Sequence, residues 1–219
     1  MISQTIAVRT HGHYLVDGPS RSPAVGVLVG CHGYMESAAI QMERLQAIPG
    51  GEAWVHVSVQ GLHRFYHGRT SDVVASWMTS QDRELAIHDN TDYLNAVVDA
   101  VLAETPAGLL VFAGFSQGVG MAFRAASAST HPVAGVLALG GDVPPELTHE
   151  RLARIPRVLY GRGDRDGWYT ADQFTEDQAR LSHAGVAVTA ATSDDEHAWT
   201  ANFSTAAGRF LQNLVAARS

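Results

Sequence analysis

The chain has 219 residues, of which 46% are hydrophobic and 17% charged, a balance typical of a globular protein long enough to bury a full core. The formal net charge of −7 gives no electrostatic reason to expect DNA, RNA or an anionic membrane as a partner. Cys31 is the single cysteine and cannot form an internal disulfide, so we expect a reducing, cytoplasmic location.

The sequence shows no sign of a boundary between domains. It lacks the features of a signal peptide, and no stretch reaches membrane-spanning length without a charge or a helix breaker. Repeats, low-complexity tracts and linkers rich in Pro or Ser are absent from the sequence. We therefore expect a single domain over residues 1–219. The sequence leaves open whether two copies form a homodimer.

The first half of the chain alternates strand-like and helix-like segments. Two short alternating segments, 5–9 and 12–16, predict an antiparallel hairpin at a sheet edge. The pattern then predicts, in chain order, a strand over 24–31, a helix over 37–47, a strand over 54–59, a loop over 60–80 that is rich in His and aromatic residues, and a helix over 83–103.

The second half continues this alternation. It predicts a strand from 109, a helix to about 130, a strand over 133–139, a loop or short helix over 142–154, a strand over 157–160, a helix over 170–183, a strand over 186–190 and a closing helix over 198–216. This alternation predicts an α/β fold with a mainly parallel, twisted sheet covered by helices on both faces. Functional sites in such sheets lie beyond the carboxyl ends of the strands.

A Gly-x-Ser-x-Gly motif, Gly114 to Gly118, lies between the apolar run 109–113 and the helix formers 121–126. This is the context of a nucleophile elbow, in which Ser116 would occupy a tight, strained turn. Side chains in place of the two glycines would collide with the neighbouring strand and helix. The following helix would point free N–H groups towards a developing oxyanion. The alternative is an ordinary turn that happens to contain Gly and Ser.

A serine hydroxyl needs a base to act as a nucleophile, and the base needs an acid to orient it. Along the chain, Ser116 is followed by Asp164 and Asp166 after the 157–160 strand, and then by His197 after the last strand. Ser, Asp, His is the chain order of α/β-hydrolases. We therefore expect these residues to meet at one edge of the sheet.

Several of these features together resemble the phospholipase/carboxylesterase family of α/β-hydrolases, which contains small bacterial carboxylesterases and acyl-protein thioesterases. The resemblance extends from about residue 24 to the closing helix. The features are G-F-S-Q-G at 114–118, His-Gly-Tyr at 32–34, Trp77, G-D-R-D at 163–166 and His197.

The resemblance implies a role for each matching residue. Ser116 would be the nucleophile, Asp166 the acid and His197 the base. The backbone N–H groups of Tyr34 and Gln117 would form the oxyanion hole. No metal or cofactor is implied.

The register of this resemblance favours Asp166 over Asp164 as the acid. Asp164 could instead cap the turn or the following helix. Asp194 and Asp195 lie beside His197 in sequence, but an adjacent residue rarely reaches round to the imidazole Nδ1, so they are more typical of a solvated loop.

The chain departs from the family pattern around the expected substrate pocket. The family usually has Gly where this chain has Val119, and its acid loop often continues to Val-Pro where residues 167–170 read Gly-Trp-Tyr-Thr. The segment 78–84 after Trp77 also differs. These departures affect the substrate more than the mechanism. The candidate pocket residues are His32, Trp77, Trp168 and Tyr169.

Other chemistry is less well supported. Among eleven histidines the closest group is His63, His67 and His88, whose spacing lacks the Cys or carboxylate partners of a zinc site. His32 is predicted to stabilise, by hydrogen bonding, the loop after the 24–31 strand that would carry the Tyr34 N–H group; we call this loop the oxyanion loop. Cys31 is in the wrong place for an elbow and is expected to be a small buried apolar group.

The predicted function is that of a serine carboxylesterase that forms an acyl-enzyme on a small-molecule ester. Because no large insertion provides a lid, we expect an open site that favours small or short-acyl esters. An acyl-thioesterase or lysophospholipase using the same residues is the alternative among enzymes. A non-catalytic binding protein of this fold is the alternative of another class, although it would have no reason to keep all three residues.

Overall fold

The structure is a computed structural model that describes residues 1–19, 24–105 and 108–218. Its strands are β1 (His13–Asp17), β2 (Gly26–Cys31), β3 (Val55–Gln60), β4 (His63–Tyr66), β5 (Val73–Ser76), β6 (Leu109–Phe115), β7 (Gly135–Leu139), β8 (Arg157–Gly163) and β9 (Ala187–Ser193). Its α-helices are α1 (Ala38–Gln46), α2 (Arg83–Glu104), α3 (Gln117–Ala128), α4 (His149–Leu152), α5 (Ala171–His183) and α6 (Ala201–Ala216).

The main sheet has the strand order β1-β3-β2-β6-β7-β8-β9. Every neighbouring pair is parallel except β1 and β3, which are antiparallel at the sheet edge. This arrangement confirms the predicted α/β fold and its antiparallel N-terminal edge.

The partner at that edge differs from the one expected. Residues 5–9 do not form a strand, and β1 pairs instead with β3, with Tyr14 opposite Val59. Residues 1–12 are exposed along their whole length. β3 is buried and gives β1 a row of backbone hydrogen-bond partners that are protected from water. Residues 5–9 are exposed, so hydrogen bonds to them would compete with water.

The core lies in two layers, one on each face of the sheet. One layer packs α2, α3 and α5 against the strands through side chains such as Val97, Phe123 and Phe174. The other packs α1 and α6 through Leu45 and Phe210. All residues of β2 and β3 are buried, and β2 accordingly reads as a continuous apolar run. β3 instead alternates Val with His56, Ser58 and Gln60, whose side chains are buried as well.

The segment 60–80 was predicted as a loop, and this prediction is wrong. It contains a two-stranded antiparallel ribbon of β4 and β5, in which Phe65 lies opposite Val74. A bridge between Glu36 and Ala75 connects the ribbon to the loop after β2. Strands of only four residues are too short to give a clear periodic signal, so the sequence pattern missed them.

Two strands near the end of the chain are longer than predicted. β8 extends to Gly163 and β9 to Ser193, because the two strands pair residue by residue over their full lengths. This extension carries the backbone as far as the loops that hold Asp166 and His197. No α-helix in the described ranges is both long and apolar enough to cross a lipid bilayer.

Candidate active site

Ser116 lies on a sharp turn between β6 and α3. Its backbone has φ 53° and ψ −121°, a conformation that is strained for any residue other than glycine. The Ser116 N–H donates to Leu139 O at 2.9 Å, and the Val119 N–H donates to Ser116 O at 2.9 Å. These two bonds hold the strained turn against the neighbouring strand and the first turn of the helix.

The two glycines of the motif are required by close backbone packing. A Cβ on Gly114 would lie 2.5 Å from the carbonyl oxygen of Gly118, and a Cβ on Gly118 would overlap the carbonyl group of Cys31. The turn therefore fits between β2 and α3 only when both positions lack a side chain.

The structure brings His197 and Asp166 to this serine. His197 Nε2 lies 2.9 Å from Ser116 Oγ, and His197 Nδ1 lies 2.7 Å from Asp166 Oδ2. The serine hydroxyl has a proton to donate to Nε2, and the carboxylate can only accept from Nδ1–H, so these contacts suit one tautomer of the imidazole. The arrangement is able to pass a proton from the serine to the imidazole.

Asp166 is held by the backbone of its own loop. Its Oδ1 accepts hydrogen bonds from the N–H groups of Trp168 at 2.8 Å and Tyr169 at 3.0 Å. Burial of this carboxyl acts to raise its pKa, but the bonds from these N–H groups and from His197 outweigh burial and lower the pKa below its usual value. The group is therefore held as an acceptor-only carboxylate.

The other candidate carboxylates lie elsewhere. The Asp164 side chain is 58% exposed. Asp194 pairs with Arg165 at 2.8 Å on the surface. Asp195 accepts hydrogen bonds from the Thr200 and Ser193 hydroxyls next to the start of α6. Of the four acids considered, Asp166 is the one that contacts His197.

Further groups around His197 gave no signal in the sequence. The ring of Phe115 lies 5.0 Å from the imidazole, centroid to centroid, and the Arg44 guanidinium lies 4.4 Å from the centre of that same ring. Gly140 has φ +66°, and a Cβ there would lie 3.2 Å from His197 Cε1. The imidazole is thus enclosed by an aromatic ring and by a backbone turn that favours glycine.

The loop after β2 is fixed by an ion pair. Glu36 Oε2 accepts the Gly33 N–H at 2.7 Å, and Arg44 donates to both carboxylate oxygens of Glu36 at 2.6 Å. The Met35 N–H donates to Ala75 O at 3.0 Å. The N–H groups of Tyr34 and Gln117, by contrast, find no acceptor among the described residues.

His32 holds the same loop from inside the protein. Its Nε2 accepts the Gly61 N–H at 3.0 Å, so its proton is on Nδ1, which donates to Gly33 O at 2.7 Å. Trp77 Nε1 donates to His32 O at 2.8 Å. Burial lowers the pKa of His32, which favours the neutral ring that these bonds need.

The Gln117 side chain has contacts that the sequence analysis missed. Its Oε1 accepts the Trp77 N–H at 2.9 Å, and its Nε2 donates to Met78 O at 3.0 Å. The amide therefore attaches the first residue of α3 to the chain that follows β5. The glutamine of the G-F-S-Q-G motif was the available signal, but it was interpreted only through its backbone.

Three of the four candidate pocket residues have buried side chains. His32, Trp77 and Tyr169 are at most 3% exposed, whereas Trp168 is 84% exposed. Near the oxyanion loop, Tyr34 is 55% exposed and its ring lies 6.2 Å from that of Phe65. Trp168 in the Asp166 loop and Tyr34 in the loop after β2 thus present aromatic side chains to solvent.

The remaining candidates do not gather into a second centre. Within residues 1–19, 24–105 and 108–218, no three His, Cys, Asp or Glu side chains are arranged to hold a metal ion. His63, His67 and His88 therefore do not form such a group. Cys31 is buried, and burial raises the pKa of its thiol, so the thiol is held in its unreactive protonated form.

Comparison with known proteins identifies the family. Residues 19–166 match the phospholipase/carboxylesterase family. The chain belongs to this family. It is therefore a serine hydrolase with the α/β-hydrolase fold, and the resemblance inferred from its motifs is confirmed.

Solved structures agree with this fold, while no curated protein matches the chain in sequence. The esterase PE8 has a TM-score of 0.73 and 22% identity over 94% of this chain and 100% of its own. The Bacillus cereus carboxylesterase has a TM-score of 0.69 and 16% identity over 93% of this chain and 94% of its own. Zea mays acyl-protein thioesterase 2 has a TM-score of 0.70 and 17% identity over 94% of this chain and 100% of its own.

Proposed function

We propose that this member of the family is a serine carboxylesterase that hydrolyses small or short-acyl esters. Ser116 is the nucleophile, His197 the general base and Asp166 the residue that orients His197. The observation that carries the proposal is the continuous series of contacts from Ser116 Oγ through His197 to Asp166, at 2.9 Å and 2.7 Å.

The first half of the reaction forms an acyl-enzyme. Ser116 Oγ attacks the ester carbonyl carbon while His197 Nε2 accepts its proton, and the Asp166 carboxylate stabilises the resulting imidazolium. The N–H groups of Tyr34 and Gln117 donate to the oxyanion of the tetrahedral intermediate. In well-studied enzymes each such donor contributes about 3–4 kcal/mol to transition-state stabilisation.

The first half ends when His197 gives its proton to the leaving alcohol as the tetrahedral intermediate collapses, so the alcohol departs neutral and leaves the acyl-enzyme. The second half releases the acid. Water then attacks the acyl-enzyme carbonyl, with His197 again accepting the proton and returning it to Ser116 Oγ. A carboxylic acid is released and the serine is regenerated.

The preference for short acyl groups is supported by the exposure of aromatic side chains in the loops that carry the proposed site residues. Trp168 and Tyr34 face solvent. The neighbouring β4–β5 ribbon is short, and each of its strands has four residues. A long acyl chain would gain little burial on such a surface, so most of its apolar area would stay in water.

Steady-state hydrolysis of p-nitrophenyl esters tests both parts of the proposal. The wild-type protein is expected to hydrolyse acetyl and butyryl esters with a kcat/KM about tenfold higher than octanoyl and decanoyl esters. Ser116→Ala should abolish turnover, while Ser182→Ala, a change at an exposed serine on α5, should leave it unchanged. A maximum at the long acyl groups contradicts the substrate preference, and turnover by Ser116→Ala contradicts the mechanism.

Acyl-thioester hydrolysis is the second candidate, because Zea mays acyl-protein thioesterase 2 shares this fold over 94% of the chain. The same three side chains can attack a thioester carbonyl. A butyryl oxygen ester and a butyryl thioester assayed side by side separate the two. A higher kcat/KM on the thioester would place the thioesterase first, and a lysophospholipid in the same panel tests the remaining alternative.

We also propose a single domain and a cytoplasmic location. The single domain is supported by the main sheet, whose seven strands include both the first strand, β1, and the last, β9. The location is supported by the free, buried Cys31 and the absence of a second cysteine with which it could pair.

A further inference from the structure

Arg162 places a charged side chain inside the protein beside the acid loop, which we define as residues 164–169. It lies near the end of β8 and is 8% exposed. Its Nε donates to Tyr169 O at 2.8 Å, and its Nη2 donates to Asp166 O at 3.2 Å and to Asp164 O at 3.3 Å. One guanidinium therefore binds three backbone carbonyls of a six-residue loop.

The three carbonyls come from the beginning, middle and end of the acid loop. The loop consequently curves around the guanidinium group, and the three hydrogen bonds hold its two ends and its middle together. Arginine suits this task because its planar group carries five donors in a fixed fork, whereas lysine has a single ammonium on a flexible stem. The bonds also give the carbonyl groups of the buried residues Asp166 and Tyr169 a partner inside the protein.

The curved loop also positions the carboxylate of Asp166. The Asp166 carboxylate accepts the N–H groups of Trp168 and Tyr169, and its other oxygen contacts His197. Arg162 donates to the backbone of the loop and not to this carboxylate, so it governs position without competing with His197 for the acceptor oxygen.

We propose that Arg162 is a positioning residue for this hydrolase, which sets the Asp166 carboxylate against His197 Nδ1 by holding the carbonyls of the acid loop. The inference rests on the proposed roles of Ser116, His197 and Asp166. Arg162 itself contacts neither the nucleophile nor the base, and its effect on the reaction passes through the loop.

Arg165 provides a matched control in the same loop. It is an arginine three residues further on, but its side chain is 59% exposed and it pairs with Asp194 on the surface. Exposed ion pairs contribute little to stability. Replacing Arg165 removes one positive charge from the loop without removing any of the three bonds to the carbonyls.

The experiment compares Arg162→Gln, Arg162→Lys and Arg165→Gln with the wild-type protein. Active sites are titrated with a fluorophosphonate, and kcat, KM and the pH profile of kcat/KM for p-nitrophenyl acetate are measured per titrated site. We expect Arg162→Gln to lower kcat about 10- to 100-fold, because small misplacements of catalytic groups have effects of this size. KM should change little, and Arg165→Gln should match the wild type.

The pH profile separates positioning from a purely structural role. Its acid limb reports protonation of the general base. His197 contacts Asp166, Ser116 and the Phe115 ring, and Asp166 is the carboxylate among them. A displaced carboxylate stabilises the imidazolium less, so the acid limb of Arg162→Gln should move to lower pH. A variant that is only less stable would lose titratable sites but keep the wild-type profile.

Each outcome decides the proposal. Wild-type kcat and pH profile per titrated site in Arg162→Gln overturn it. If Arg162→Gln does not fold, Arg162→Lys decides, since it keeps the charge but cannot reach all three carbonyls. An intermediate kcat with a shifted acid limb supports the proposal, and unchanged values overturn it. Failure of the proposed function is distinguishable, because the wild-type protein itself would then not react with the fluorophosphonate.

Discussion

At the scale of single residues, Asp166 is subject to opposing effects. Burial disfavours its ionised form, and two backbone N–H groups together with His197 favour it. The net effect lowers its pKa in the folded state. The ionised carboxylate thus stabilises the fold above the unfolded pKa of about 3.9, and this contribution is lost as the pH falls through the lower, folded value.

The choice of Asp166 over Asp164 yields a mutational test. Asp166→Asn should reduce kcat about 10⁴-fold, since an amide next to Nδ1 favours the wrong imidazole tautomer. Asp164→Asn should stay within about twofold, because that carboxylate is exposed and lies 3.9 Å from Arg162 Nη1, a long ion pair of little energy, while its backbone carbonyl, which Arg162 binds, is unchanged. Esterase assays on both purified variants check this. A larger loss in Asp164→Asn would reverse the assignment.

His32 gives a prediction about stability. Its pKa is lowered in the folded state, so the neutral ring stabilises the fold fully above the unfolded pKa of about 6.5, and this stabilisation is lost as the pH falls below that value. In urea titrations, the unfolding free energy of the wild type should decrease between about pH 7 and about pH 5 more steeply than that of His32→Asn.

His56 is the internal reference for that comparison. Burial also lowers its pKa, and it is present in both proteins, so its contribution cancels in the difference. At neutral pH, His32→Asn should be less stable by about 1–3 kcal/mol, because the bonds to Gly61 N–H and Gly33 O are disturbed. Parallel pH slopes for the two proteins would show that His32 is not the group that titrates.

At the scale of elements, the turn from β6 to α3 depends on close contact between backbones. Gly118→Ala forces a Cβ against the carbonyl group of Cys31 on β2. We expect this to lower the unfolding free energy by up to about 3 kcal/mol. Gly167→Ala is the control, since a Cβ there meets no atom within 4 Å, and it should stay within about 0.5 kcal/mol of the wild type. Chemical denaturation measures both, and equal stabilities would contradict this packing argument.

The sequence was most informative where structure is local. The elbow could be predicted because its strand, glycines and helix are consecutive, and the helix pattern of 83–103 matched α2 closely. The β4–β5 ribbon was missed because its strands are short and its connection to Glu36 is non-local. Arg162 was missed for a related reason: its acceptors are backbone carbonyls, which carry no residue-type signal.

At the scale of the whole molecule, the sheet brings together residues that are distant in sequence. Ser116 and His197 are 81 positions apart, and Asp166 and His197 are 31 apart. They meet because β6, β8 and β9 are parallel, so the loops that follow them emerge at one edge of the sheet. The chain order and strand alternation predicted this edge, and the resemblance to the family favoured Asp166 among the four acids. The pairing of β8 with β9 places the Asp166 and His197 loops side by side at that edge.

The central claim is that Ser116 is an activated nucleophile. Labelling with a fluorophosphonate, followed by mass spectrometry of the peptides, tests it most directly. We predict one adduct, on Ser116, which does not form in Ser116→Ala and forms much more slowly in His197→Ala. Folded wild-type protein that forms no adduct, or an adduct on another residue, would contradict it.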